Sequence, residues 1–276
     1  MMRYIQFFTV ALLSCFVASA QEYSWERTLL DGSRTGCTAS TAENVEESIG
    51  RMGADKEYYS PSGKVYPAYS STARVASIVL AAQPRMADLK VVVAHSAAEM
   101  PHMKTEGVLS NWLVDIVAGK VSELSGKKID VAICNFGGIR RGMPEGEILL
   151  DDIRSMFPFK NNLVHLRMKG NKLREIFESM AASKFEALGG VTIEVSGGKL
   201  LSVMVGDSPL DDDKVYDVAS ISFLLKGGDG LYLADASIEV DRYDVIIGDA
   251  VMEYVDKLTS EGKQIVGPDV RHVIIK

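Results

Sequence analysis

Residues 129–140 read Ile129-Asp130-Val131-Ala132-Ile133-Cys134-Asn135-Phe136-Gly137-Gly138-Ile139-Arg140, and the architecture unfolds from them. The first six are a short, nearly unbroken apolar run, the pattern of a strand covered on both faces. Gly137-Gly138 then break it. Just upstream, residues 108–124 place Val108, Leu109, Trp112, Leu113, Ile116, Val117, Val121 and Leu124 on one stripe, an amphipathic helix that stops before Gly126. Downstream, LVHLRM at 163–168 alternates, and a helix from Asn171 turns Leu173, Ile176, Phe177 and Met180 inward. VTIEV and LLSVMV flank Ser196-Gly197-Gly198-Lys199 as a hairpin. VYDVASI is a further strand, GDAVMEYVDKL a helix and RHVII a terminal strand. Hairpins mixed with helical connections give an α+β class: a mixed β-sheet with helices packed on it.

Working back from residue 129, LKVVVAH at 89–95 is strand-like, and residues 21–84 form an N-terminal arm or small subdomain. Within it, TAENVEESIG offers a short helix with Thr41 as N-cap and Gly50 as stop. A second helix turns Val75, Ile78, Val79 and Ala82 to one face and closes at Pro84. Residues 1–20, MMRYIQFFTVALLSCFVASA, have the layout of a secretory signal peptide: Arg3, an apolar stretch, then Ala18-Ser19-Ala20. The stretch falls short of the roughly 20 residues that span a bilayer as a helix. Leu12-Leu13-Ser14-Cys15 offers the alternative of a lipoprotein site at Cys15; either route exports the chain to the periplasm or cell surface. Export permits a disulfide between Cys37 and Cys134, but Cys134 ends an apolar run where a buried thiol is commoner, so both are read as free structural thiols.

The charge balance excludes several functions. Lys and Arg number 30 against 37 Asp and Glu, a net charge of −7 without a basic cluster, so neither a nucleic acid polymer nor an anionic membrane surface is an expected partner. Four histidines and three cysteines, scattered, leave no structural zinc site.

Three loops concentrate unusual residues. In Asn135-Phe136-Gly137-Gly138-Ile139-Arg140 the paired glycines let a ligand approach exposed N–H groups, and an amide and a guanidinium beside them suit a ribose or phosphate. A plain glycine turn with a solvated arginine explains the same residues. Met156-Phe157-Pro158-Phe159-Lys160 holds two aromatics about a proline, either one covering a binding surface or both clamped into the core. Ser220-Ile221-Ser222-Phe223-Leu224-Leu225-Lys226-Gly227-Gly228-Asp229-Gly230 sets a carboxylate at the tip of a tight loop, where it either accepts ribose hydroxyls or closes an Asx-type turn.

Taken in order, with Ser110-Asn111-Trp112-Leu113-Val114-Asp115 and Lys169-Gly170, these motifs make residues 85–276 resemble the C-terminal, substrate-binding domain of bacterial and animal 5′-nucleotidases, including the UDP-sugar hydrolases. The resemblance implies that Phe159 and Phe223 sandwich a nucleobase and that Asp229 binds the ribose hydroxyls. It further implies that Asn135 and Arg140, with the backbone at Gly137, Gly138 and Gly228, hold the ribose and phosphate end. Two departures stand out: PHMKTEG offers only Lys104 where family members often carry an arginine, and Leu231 replaces the aromatic that commonly follows GGDG.

The family's catalytic half is a separate dimetal domain built on patterns such as D-x-H and G-H-x-H. His95, His102, His165 and His272 lie in none of them, and no G-x-S-x-G or P-loop lysine motif occurs. Asp211-Asp212-Asp213 lacks the glycine and distal glutamate of a calcium loop and reads as a solvated turn. The expectation is a nucleotide- or nucleoside-binding domain with no cofactor of its own. It would work with a separate metallophosphatase chain that holds the divalent metal ions, residues 21–84 supplying the docking surface. The alternative is a stand-alone protein that captures nucleosides or nucleotides.

Overall fold

The computed structural model describes residues 44–276. The leader at 1–20, Cys15, Cys37 and the Thr41 cap lie outside the described residues. Contacts divide the chain into two compact units between Ser77 and Ile78.

In the first unit, helix α1 (Val45–Ile49) begins at Asn44, whose backbone oxygen accepts from the Ser48 hydroxyl, and ends at Gly50 with φ +89°. Sequence patterning left the stretch that follows irregular, yet it holds three two-residue strands: β1 (Arg51–Met52), β2 (Tyr58–Tyr59) and β3 (Val65–Tyr66), an antiparallel meander in that order. Strands this short carry no periodicity. They are held by side chains instead: Tyr58 stacks on Tyr66 with centroids 5.8 Å apart, the Arg51 guanidinium lies 4.2 Å from the Tyr59 ring centre, and the Tyr58 hydroxyl donates to the Ile49 carbonyl.

Helix α2 (Ser71–Met86) departs from expectation twice. It runs through Pro84 to Met86 rather than closing there. The ring removes one ladder donor in the last turn, where helical bonds run out in any case. Its buried residues are Ala73 and Ala76, whereas the predicted apolar face stands open: Val75, Ile78 and Val79 are 60%, 71% and 39% exposed.

The second unit continues with β4 (Val92–Ser96), reached through a 3₁₀ turn over Ala87–Lys90 that shortens the predicted strand at its start. Helix α3 (Val108–Ser125) follows its predicted stripe, burying Leu109, Trp112, Leu113, Ile116, Val117 and Val121; Val108 at its start stays exposed, and left-handed Gly126 ends it. Then come β5 (Val131–Cys134), β6 (Gly146–Leu149), α4 (Leu150–Met156), β7 (Asn162–Lys169), α5 (Gly170–Ala182), β8 (Ala187–Gly189), β9 (Val191–Ser196), β10 (Lys199–Val205) and β11 (Ser208–Pro209). β12 (Val215–Ile221), β13 (Ser237–Ile246), α6 (Ile247–Ser260) and β14 (Val273–Ile275) complete the unit.

The central sheet has the order β13-β7-β12-β5-β8, with β12 parallel to β5 and the other pairs antiparallel, so the mixed α+β architecture is observed. A second sheet, β11-β10-β9-β14, contains the predicted hairpin, turned by Gly197 and Gly198, both at positive φ, with the terminal strand added in parallel. β4 and β6 form a separate pair. β7 does not alternate as LVHLRM suggested: Leu163, Val164, His165, Leu166 and Met168 are all buried, because it lies between two strands and helices α3 and α5 both contact it. His165 is satisfied there by Asp217 Oδ1 at 2.8 Å and Asp241 Oδ2 at 3.2 Å, one carboxylate from each neighbouring strand. The Asp211–Asp213 run is a turn, with the Asp213 N–H donating to the Asp211 carboxylate.

Two glycines respond oppositely to a methyl group. On Gly170, a Cβ would lie 1.9 Å from the Asp211 carbonyl oxygen; on Gly119, in the middle of α3, it meets nothing within 4 Å. Gly170→Ala is expected to destabilise by about 1–3 kcal/mol through overpacking. Gly119→Ala should stabilise by about 0.5–1 kcal/mol by restricting the unfolded chain. Urea midpoints measure both. Cys134 is fully buried and burial pushes its thiol up to about 12. In a Cys15→Ser, Cys37→Ser background it should therefore resist alkylation in the native protein and react at once in denaturant.

Candidate functional site

The register of the central sheet brings the three motif loops to one end. Val218 pairs with Val131 and Ala219 with Ala132 in parallel, so β5 and β12 finish side by side, at Cys134 and Ile221. Antiparallel β7 and β8 begin at that same end, Leu163 opposite Ile221 and Ala187 opposite Cys134. The segments 135–140, 157–161, 183–186 and 222–230 therefore leave the sheet along one edge.

There the predicted residues form a chain of contacts. The Asn135 side chain is buried, and its Nδ2 donates to Asp229 Oδ2 at 2.7 Å. Asp229 sits in a left-handed conformation, φ 47° and ψ 30°, between Gly227 and Gly230, which also have positive φ. Such a backbone is costly for a residue with a side chain, a form of strain that concentrates at ligand sites. Gly137 and Gly138 pack on the Asn135 amide: a Cβ on Gly138 would approach Asn135 Oδ1 to 2.7 Å. That Oδ1 is buried and without a hydrogen-bond partner. Arg140 Nη1 donates to the Gly137 carbonyl at 3.3 Å, and its guanidinium carbon lies 5.8 Å from the Phe159 ring centre. Gly228 lies against Phe223, where a Cβ would meet the phenylalanine carbonyl and ring.

The two aromatics about Pro158 divide. Phe157 is 5% exposed and belongs to the core, whereas Phe159 is 45% exposed and Phe223 44%. The Arg140 N–H donates to the Met156 carbonyl, tying the glycine loop to the end of α4 from which Phe159 follows. The Asn162 N–H likewise donates to the Ser222 hydroxyl, tying the Phe159 loop to the Phe223 loop. The result presents exposed aromatic surface beside a carboxylate, an amide and a guanidinium. Flat rings stack on such surface, and vicinal hydroxyls donate to such a carboxylate.

The sequence reading missed Glu186. It is 5% exposed; Oε2 accepts the Phe136 N–H at 2.8 Å and Oε1 pairs with Lys184 at 2.9 Å, while the Lys184 ammonium stands 5.6 Å from the Phe136 ring centre. A buried carboxylate thus anchors the glycine loop from below. The signal was a lone charge within FEALGG, just before a strand, which patterning alone does not single out. Among the described residues no group of three or more His, Cys, Asp or Glu could hold a metal ion. Glu186→Ala, which leaves the Phe136 N–H unpaired, should cost about 1–3 kcal/mol. Glu186→Gln keeps an acceptor and should cost less. Hydrogen exchange at the Phe136 amide should accelerate in the alanine variant before the strand amides do.

Known proteins resemble this chain in sequence and in fold. The chain is 27% identical to Protein UshA of Yersinia enterocolitica over 133 residues, 46% of this chain and 24% of that protein. It is 32% identical to the trifunctional nucleotide phosphoesterase protein YfkN of Bacillus subtilis over 148 residues, 47% of this chain and 10% of that one. The solved 5′-nucleotidase precursor of Thermus thermophilus superposes with a TM-score of 0.65 at 23% identity, over 74% of this chain and 43% of its own. The chain therefore spans a quarter or less of these curated relatives and under half of the solved chain. Residues 86–235, more than half of the sequence, match the family described as 5′-nucleotidase, C-terminal domain, and the chain belongs to that family.

Proposed function

We propose that this chain is an exported nucleoside- or nucleotide-binding domain of nucleotide catabolism, working with a separately encoded metallophosphatase. The observation that carries the reading is the unbroken contact chain from Phe223 through Gly228, Asp229, Asn135 and Gly137 to Arg140 and Phe159. In this reading Phe159 and Phe223 stack on the base and tolerate any base, each such contact being worth about 1–3 kcal/mol. Asp229, with one oxygen engaged by Asn135, receives the ribose hydroxyls on the other. Arg140 swings from the Phe159 ring to the phosphate end. Binding energy from base and sugar would position the phosphorus for the partner's divalent metals. Membership of the 5′-nucleotidase C-terminal domain family supports it, as does the leader-like sequence at 1–20. The open face of α2 at Val75, Ile78 and Val79 supports residues 21–84 as the docking surface.

A second reading, stand-alone capture of nucleosides or nucleotides, is favoured by the fact that the contact chain is completed entirely by residues of this chain.

Calorimetric titration of residues 21–276 with adenosine, AMP and UDP-glucose tests the site. Micromolar to low-millimolar binding is expected, with Phe159→Ala and Phe223→Ala each weakening it by about 5- to 150-fold, the equivalent of about 1–3 kcal/mol. Asp229→Asn should weaken adenosine binding more than it weakens adenine binding. Absence of binding by all three ligands would refute the reading. Val75→Asp/Ile78→Asp separates the two roles: loss of co-purification with a phosphatase, at unchanged adenosine affinity, favours the split enzyme.

A further inference from the structure

The second unit contains a cavity of about 740 Å3 bounded by the start of α3, the end of α5, the β9/β10 turn and β14. Of the residues in the motif loops only Phe136, which is almost wholly buried, reaches its wall. We propose that this cavity is a second binding site, distinct from the Phe159/Phe223 cluster, for a small amphipathic anion: an apolar body carrying one carboxylate or a comparable acidic group.

Its size falls within the roughly 300–1,000 Å3 typical of sites for small organic molecules. The floor is apolar, formed by Met180, Phe185, Val195 and Val273. At the mouth, Met103, Val108, Val270 and Ile275 are 44%, 41%, 48% and 80% exposed, a concentration of open apolar surface unusual away from binding sites.

The charge follows from what lines the wall. Three cations, Lys104, Lys184 and Arg271, and two carboxylates, Glu106 and Asp269, line the wall. Glu106 keeps its charge but turns its oxygens to neutral donors, Oε1 accepting from the His272 N–H and the Asn111 amide and Oε2 from the Val273 N–H, and it forms no ion pair with a cation among the described residues. Lys184 is paired with Glu186, but neither Lys104 nor Arg271 forms an ion pair among the described residues. The 18-residue helix α3 opens on the cavity through Gly107 and Val108, without an acidic side chain in its first turn. Its dipole adds positive potential there.

Octanoate is the probe, titrated calorimetrically into residues 21–276, with 1-octanol as its neutral counterpart. Saturable 1:1 binding of octanoate, at least tenfold tighter than that of octanol, is expected. Lys104→Glu/Arg271→Glu should weaken octanoate at least tenfold; both side chains are exposed, so packing is untouched. Ala181→Trp, which fills the cavity from its wall, should abolish octanoate binding and leave adenosine binding unchanged. Phe159→Ala should do the reverse. Lack of saturable octanoate binding, or binding that survives both Ala181→Trp and the charge reversal, overturns the proposal. Equal affinity for octanol overturns the anionic assignment. Octanoate binding without adenosine binding sustains this site while refuting the nucleoside reading.

Discussion

The parallel pairing of β5 with β12 is the constraint on which the site depends. Because side chains alternate with a period of two, a slip of one residue would turn the end of each strand to the opposite face and separate Asn135 from Asp229. Polar contacts lock the register at several points. The buried Ser220 hydroxyl donates to the Ile133 carbonyl at 2.7 Å. At the other end, Asp130 and Asp217 exchange two bonds: the Asp130 N–H to the Asp217 carbonyl, and the Asp217 N–H to the Asp130 carboxylate. These bonds fall on either side of the Val131–Val218 pair and reinforce a parallel ladder, which is slightly less stable per residue than an antiparallel one.

The polar groups within this core are paired across elements far apart in sequence. His165 is held by carboxylates from two neighbouring strands, and Glu186 holds the Phe136 N–H while its other oxygen meets Lys184. A buried donor left alone costs far more than a satisfied one contributes, so each pair acts as a specification of the native arrangement more than as a source of net stability. Among the described residues Asn111, Trp112, Asn135 and His272 each keep one buried polar side-chain atom without a partner, and of these Asn135 lies in the candidate site. One half of its amide is committed to Asp229, and the other half is buried without a partner against Gly138. Strain at Asp229 and an unmet acceptor at Asn135 occur together, at the point where the glycine loops converge.

Residue spacing alone makes the elements with strong periodicity legible. Helix α3, the buried strand at 131–134, the β9/β10 hairpin and helix α6 follow directly from spacing, because each buries a continuous stripe or face of its own residues. Motif order likewise made the loops at Asn135, Phe159 and Asp229 legible, since glycine pairs and a carboxylate at a loop tip depart visibly from strand and helix patterns. What local pattern could not decide was anything set by a neighbour distant in the chain. The division of Phe157 into the core and Phe159 into the open depends on α4 ending where it does, and the sequence left both outcomes open. Glu186 gains its role only because β8 pairs with β5, and β7 lost its alternation because both its edges and its faces are covered. On α2, three large apolar residues in helical register implied a buried face, yet Ala73 and Ala76 are buried instead. Periodicity reports which residues share a face. Which face is covered, and by what, is decided by tertiary packing, because burial is a property of two surfaces and the sequence of one element describes only its own.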